Sequence, residues 1–313
     1  MAVLFNSSRP LGRCENLTAV WDAYTGRKQF NKGGFADVYG SSCDVIVTDE
    51  FVQRKRANQT VVMIGHGLVG GKLYGIDQRS RVYTPERCGL VDWYVSSSEY
   101  GRQFCASAAG IPTERCLPLG FPRTDTYFGA RKGDGGTVLS EYAYAYLYAP
   151  TFRSWTEPKS APIDWHAIDA QMGDDELLVV KRHMIAGAPI ADGEFDHIME
   201  VGNDEPSTPY LIDCDVVITD YSSILLDGYV LGKPSVLCTH DAMDYVTARG
   251  MYMDYPNGYG GVTCDRWERL IDRCRLAAGS GMGERELACL ERTAGACDGH
   301  STERVIGLIE SLL

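Results

Sequence analysis

The chain lacks any long hydrophobic run. None of its apolar stretches approaches the roughly 20 residues that a membrane-spanning helix requires, and the opening Met1-Ala2-Val3-Leu4-Phe5 is too short for a secretory signal. It also lacks paired cysteines. Its 11 cysteines are scattered singly from Cys14 to Cys297, odd in number and without C-x-x-C spacing, a pattern that supports neither a zinc knuckle nor a secreted disulfide framework. Reduced thiols in a cytosolic protein fit that pattern better. Positive charge is scarce: 30 Lys and Arg stand against 42 Asp and Glu, a net charge of −12, which argues against a nucleic-acid partner. Arg54-Lys55-Arg56 and Arg131-Lys132 are too short to change that and read as solvated surface. Repeats and low-complexity tracts are absent. The tripeptides beginning at Asn6, Asn16 and Asn58 match a glycosylation acceptor pattern that has no meaning without a secretion signal.

What is present is an ordinary globular composition, 44% hydrophobic and 23% charged over 313 residues, enough for two domains. Short apolar runs at Val3-Leu4-Phe5, Val45-Ile46-Val47, Val61-Val62-Met63-Ile64, Trp93-Tyr94-Val95 and Cys116-Leu117-Pro118-Leu119 read as buried strands separated by crossovers, hence a parallel sheet. The polar, Gly-rich stretch from Ala130 to Thr137 interrupts the series. A second series follows with Tyr146-Leu147-Tyr148, Leu177-Leu178-Val179-Val180, Val216-Val217-Ile218-Thr219 and Ser235-Val236-Leu237, turning helical beyond about residue 265. The last helix places Val305, Ile306, Ile309 and Leu312 on one face. The expectation is an α/β chain of two Rossmann-like parallel-sheet domains facing a central cleft, residues 1–130 and 131–313, with ligands beyond the carboxyl ends of the strands.

The most informative segment is Asp215 to Leu237. A β-branched strand stops at Asp220-Tyr221-Ser222-Ser223, an apolar helix follows through Ile224, Leu225 and Val230, and Lys233-Pro234 ends it. A helix start rich in hydroxyls can seat a phosphate, although Ser222 or Ser223 acting as a plain cap explains the segment about as well. Elsewhere, Thr151 and Arg153 close one strand with groups suited to phosphate. Lys181, Arg182 and His183 close another, and strand alternation puts Lys181 and His183 on one side. Two basic strand ends plus the hydroxyl-rich helix start favour a convergent anion site. Gly65-His66-Gly67-Leu68-Val69-Gly70 formally matches G-x-G-x-x-G, but a histidine stands where backbone should approach pyrophosphate. His66 reads equally as a turn histidine or as a titrating group. Arg123 and Asp125 read as braces of the turn after the fifth strand. Asp241, Tyr245 and Arg249 share one helix face, as a salt bridge or as a ligand contact.

In chain order, His66-Gly67, GFPRTD, YAPTFR, Lys181 with His183, DVVITDYSSILLD with its KP, HDAMDYVTARG and DGHSTERV together resemble the CDP-glycerol glycerophosphotransferase family of teichoic-acid primases and polymerases. The resemblance runs from about residue 44 to the C-terminus. It implies a GT-B-like fold with an N-terminal acceptor domain and a C-terminal domain for a CDP-glycerol or CDP-ribitol donor. It implies catalytic roles for His66 and His183, with His66 as general base. Substrate contacts fall on Gly67, Arg123, Thr151, Arg153, Lys181, Asp220, Ser222, Ser223, Asp227 and Arg249. The acceptor would be a lipid-linked or polymeric saccharide or polyol phosphate, and the implied location is the cytoplasm with peripheral contact at the inner membrane face. No protein-held metal is expected; Mg2+ carried on the donor diphosphate stays open. Two other functions stay open beside this one, a GT-B glycosyltransferase using a nucleotide sugar and a non-catalytic binder of polyol-phosphate polymer. A dinucleotide-dependent oxidoreductase is more distant.

Overall fold

The computed structural model describes residues 2–33, 38–65, 67, 70–78, 81–151, 162–181, 190, 193–202 and 204–313. The chain forms two compact units, Met1–Phe128 with Glu291–Leu313, and Gly129–Leu290. The sequence placed everything after 131 in the second domain. That is corrected for the C-terminal 23 residues, which belong with the first unit.

In the first unit, β1 (Val3–Ser7), α1 (Glu15–Ala23), β2 (Lys28–Lys32), β3 (Val45–Thr48), β4 (Thr60–Met63), α2 (Pro85–Cys88), β5 (Trp93–Val95), α3 (Arg102–Ala109) and β6 (Cys116–Leu117) follow in order. All pairings are parallel and the sheet order is β2-β1-β3-β4-β5-β6. β1, β3 and β4 are buried along nearly their whole length. That is why they read as unbroken apolar runs rather than alternating ones.

The second unit contains β7 (Tyr144–Tyr148), α4 (Trp165–Asp169), β8 (Glu176–Val180), β9 (Ile198–Glu200), α5 (Thr208–Asp213), β10 (Val216–Thr219), α6 (Ile224–Val230), β11 (Ser235–Cys238), α7 (Ala242–Arg249), β12 (Val262–Cys264) and α8 (Leu270–Ser280). Its sheet, also wholly parallel, runs β12-β11-β10-β7-β8-β9. Alternate residues of one strand feed opposite cores. Tyr146 and Tyr148 pack with Leu270, Ile271 and Cys274 of α8, while Ala145 and Leu147 pack with Tyr210 and Leu211 of α5. Asp213, at the end of α5, collects the backbone N–H groups of Gly133, Gly135 and Thr137 and the Thr137 hydroxyl at 2.8–3.0 Å. The polar stretch expected as a boundary is thereby fastened to this unit. Helix α9 (Glu284–Ala294) contains the second division point, and α10 (Ser301–Ser311) completes the first unit.

The return of α10 explains two motifs at once. Asp125 accepts N–H bonds from Ser301 at 2.9 Å and Thr302 at 2.7 Å, so the carboxylate caps α10 from outside. Arg304 answers by donating to the carbonyls of Leu119 and Ala296 and to Asp298. Gly120, at φ +80°, lies where any side chain would run into the Ser301 hydroxyl and the Ala296 carbonyl. GFPRTD and DGHSTERV thus form one clasp. The brace expected of Asp125 is real, but it holds α10.

Candidate functional site

In the second unit the chain builds β7, β8 and β9 in one direction, then returns to the other side of β7 with β10, β11 and β12. The strand order therefore reverses between β7 and β10, the position where open α/β sheets bind ligands beyond their carboxyl ends. Four segments singled out from the sequence end there or on neighbouring strands.

Asp220 ties the two sides of this point together. Its Oδ1 accepts the N–H of Thr151, just beyond β7, and that of Tyr221, both at 2.7 Å. Thr219 adds a hydroxyl bond to the Ala149 carbonyl at 2.6 Å. Asp220, expected to contact substrate, commits this oxygen to backbone. Thr151 is 6% exposed, and its hydroxyl is buried with no hydrogen-bond partner among the described residues. A buried hydroxyl without a partner costs free energy, on the order of 1–3 kcal/mol, unless something else satisfies it.

Ser222 and Ser223 precede α6. Ser223 occupies the N-cap position without a side-chain cap bond, and among the described residues the Ser222 hydroxyl accepts only a long 3.4 Å contact from the Ile224 amide. Both residues are half-buried. Simple capping therefore uses these hydroxyls weakly. Asp227, in the first turn of α6, is buried, where its carboxylate complements the helix dipole. Lys181, just after β8, is buried and donates from Nζ to the Gly202 carbonyl at 2.7 Å.

A group the sequence did not resolve supports this rim from the far side. The Tyr221 hydroxyl donates to Asp241 Oδ1 at 2.6 Å, and its ring stacks on Tyr245 of α7 at 3.8 Å with planes 6° apart. Tyr255 meets Tyr221 edge-on and donates its hydroxyl to the Cys238 carbonyl. The helix face carrying Asp241, Tyr245 and Arg249 is thus a buttress for the Asp220–Ser223 turn, with Arg249 closing the same helix. The signal was the shared tyrosine content of the two motifs, which spacing along one helix cannot pair.

In the first unit, Gly65 follows β4 at φ +61° and Gly67 is half-buried two residues on. Arg123 is buried in the turn after β6, and its backbone N–H donates to Asn16 Oδ1 at 3.0 Å. A second polar group lies at the carboxyl ends of β1 and β3, where this sheet also reverses its order. Ser7 and Arg9 donate to Asp49, and Asn6 donates to Thr48. Burial is the largest influence on Asp49 and pushes its carboxyl above the ordinary range, against the pull of Arg9 and Ser7. The remaining expected site residues, His66, Arg153 and His183, lie outside the described residues. Among the described residues no group of three or more His, Cys, Asp or Glu could hold a metal ion, and no helix is long and apolar enough to cross a membrane.

Comparison with known proteins matches residues 25–311 to the family model for CDP-glycerol:poly(glycerophosphate) glycerophosphotransferase. The teichoic acid ribitol-phosphate polymerase TarL of Staphylococcus aureus is 25% identical, over 93% of this chain and 57% of that protein. A teichoic acid glycerol-phosphate primase of Bacillus subtilis is 26% identical, over 86% of this chain and 74% of its own length. The chain thus spans little more than half of the first relative and about three quarters of the second. Among solved structures, the wall teichoic acid polymerase TagF superposes with a TM-score of 0.80 at 18% identity, covering 99% of this chain and 88% of that one. That likeness bears on the fold: the two doubly wound parallel sheets are those of a GT-B-like architecture, as expected.

Proposed function

The chain belongs to the CDP-glycerol:poly(glycerophosphate) glycerophosphotransferase family of transferases, and from that premise we propose that it moves a glycerol-phosphate or related polyol-phosphate unit from CDP-glycerol or CDP-ribitol to a hydroxyl of a cell-wall or capsular polymer. The acceptor oxygen attacks the phosphorus that carries the polyol. A new P–O bond forms as the P–O bond to CMP breaks, and CMP leaves with the electron pair. Such a transfer asks the protein mainly for positioning and charge neutralisation. The acceptor proton goes to His66, whose imidazole can take it near neutral pH. Lys181, Arg153 and His183 hold the diphosphate, and Ser222 and Ser223 offer the helix-start cradle. Gly67 and Arg123 serve the acceptor side, and Asp227 and Arg249 the donor side. Any Mg2+ travels with the donor diphosphate. The protein works in the cytoplasm, at the inner membrane face where a lipid-linked acceptor would lie.

The observation that carries this reading is the Thr151 hydroxyl, buried without a partner among the described residues at the strand-order reversal, beside Asp220 and the Ser222–Ser223 turn, in a chain of this family. A phosphate oxygen seated there would accept the hydroxyl hydrogen and remove the cost of its burial. The test incubates the protein with CDP-glycerol or CDP-ribitol and a panel of saccharide and polyol-phosphate acceptors, following CMP. Acceptor-dependent CMP release is expected. Release of a nucleoside diphosphate from a nucleotide sugar would instead identify a glycosyltransferase, and donor binding with no turnover would identify a binding protein.

A further inference from the structure

Asn16 is a buried polar residue of the first unit. It is the second residue of α1, 1% exposed, and both ends of its amide are bonded to backbone. Nδ2 donates to the Gly65 carbonyl at 3.2 Å, and Oδ1 accepts from the Arg123 N–H at 3.0 Å. A carbonyl can only accept and an N–H can only donate, so these two partners admit a single orientation of the amide. Asp supplies no donor for Gly65, an apolar side chain serves neither partner, and Gln is one methylene too long for the same reach. One side chain therefore joins the turn after β4 to the turn after β6, with partners 49 and 107 positions along the chain from Asn16.

The two turns also meet without it. Gly65 stands at φ +61°, and a Cβ there would lie 3.8 Å from the Phe121 ring and 3.9 Å from the Tyr94 ring. Ring packing sets how close the turns come; it does not set how the peptide plane of Gly65 is turned. The hydrogen bond from Asn16 does. The Gly65 carbonyl belongs to the planar peptide group that also contains the N–H of residue 66, so fixing that carbonyl fixes the plane from which residue 66 departs.

We infer that Asn16 is a positioning residue for the turn that carries His66, acting through the Gly65 carbonyl and keyed to the GFPRTD turn through the Arg123 amide. The inference rests on the reading of His66 as general base. A small misplacement of a catalytic group costs up to about 100-fold in rate without weakening the binding of a substrate held elsewhere.

The test is a double-mutant cycle on the full chain, with CMP release as the rate, CDP-glycerol affinity by calorimetry and Tm as a check on folding. Asn16→Ala should lower kcat by about 10- to 100-fold while KM for CDP-glycerol stays within about twofold. Asn16→Asp keeps an acceptor for Arg123 but loses the donor to Gly65, and should match Asn16→Ala in kcat. In a His66→Ala background Asn16→Ala should lower the rate no further, because the group it positions is gone. A purely structural amide would instead lower Tm and leave kcat per folded molecule unchanged. Wild-type kcat in folded Asn16→Ala, or full additivity with His66→Ala, overturns the inference alone. A wild-type rate in His66→Ala overturns the base assignment and the inference together. Should Asn16→Ala not fold, the Asn16→Asp cycle decides by the same criteria.

Discussion

The strand order reverses between β7 and β10 in one sheet and between β1 and β3 in the other, so each presents polar residues beyond its strand ends. At β1 and β3 these groups bond one another: Asn6 to Thr48, Ser7 and Arg9 to Asp49. At β7 and β10 one carboxylate oxygen of Asp220 is given to backbone N–H groups, and the Thr151 hydroxyl nearby has no partner among the described residues. The charge is divided as unequally. Residues 1–128 and 291–313 hold 17 Lys and Arg against 16 Asp and Glu, while residues 129–290 hold 13 against 26. The entire acidic excess thus lies in the unit proposed to hold an anionic donor. A favourable long-range field cannot be what recruits that donor. Recognition there has to come from local N–H groups, hydroxyls and a few placed cations.

The largest effect expected from this contrast is kinetic. His66→Ala, in the nearly neutral unit, should lower the rate of CMP release by about 10²–10⁴-fold while CDP-glycerol affinity changes little. A near-normal rate would remove His66 from the mechanism.

The next is a difference in stability between the two rims. Asp220→Ala strips a buried acceptor from two backbone N–H groups that cannot turn elsewhere, and should cost about 3 kcal/mol. Asp49→Ala leaves a half-exposed Arg9 that can find water and a buried Ser7 hydroxyl that can rotate, and should cost about 1 kcal/mol. Urea unfolding of both variants measures the gap; equal costs would erase the distinction between a rigid rim and an adaptable one.

The smallest expected effects concern pH. Burial pushes Asp213 up, but the donors from Gly133, Gly135 and Thr137 outweigh it and hold the carboxyl below the ordinary range. Its stabilisation is present above the unfolded carboxylate pKa of about 3.9 and is lost as pH falls through the lower folded value. Asp49 is raised, so its contribution is present below about 3.9 and is lost as pH rises through the higher folded value. The Tm deficit of Asp213→Asn should therefore grow between about pH 3 and pH 7, to several degrees, while that of Asp49→Asn shrinks. Deficits moving in the same direction would contradict the assigned signs.

The same contrast marks what the sequence could reveal. Every expected run that became a strand has a place in its sheet, and the three strands that escaped notice, β2, β9 and β12, all stand at sheet edges. An edge strand is covered on fewer sides, so KQFNK of β2 has only half-buried and exposed positions and carries no apolar run. Strand ends told where chemistry-bearing groups emerge. What stayed hidden was pairing over distance. The carboxylate of Asp125 meets the start of α10 some 176 positions on, Tyr221 lies against Tyr245, and Asn16 joins two turns. Periodicity along one element cannot report such contacts, because the partner lies on another element whose placement follows from the whole fold.

Thr151→Val keeps the shape of the side chain and removes only the hydroxyl, which has no partner among the described residues. If that hydroxyl serves the donor phosphate, the variant should fold with an unchanged or higher Tm and yet bind CDP-glycerol about tenfold more weakly by calorimetry. Unchanged CDP-glycerol affinity in the folded variant would contradict the account.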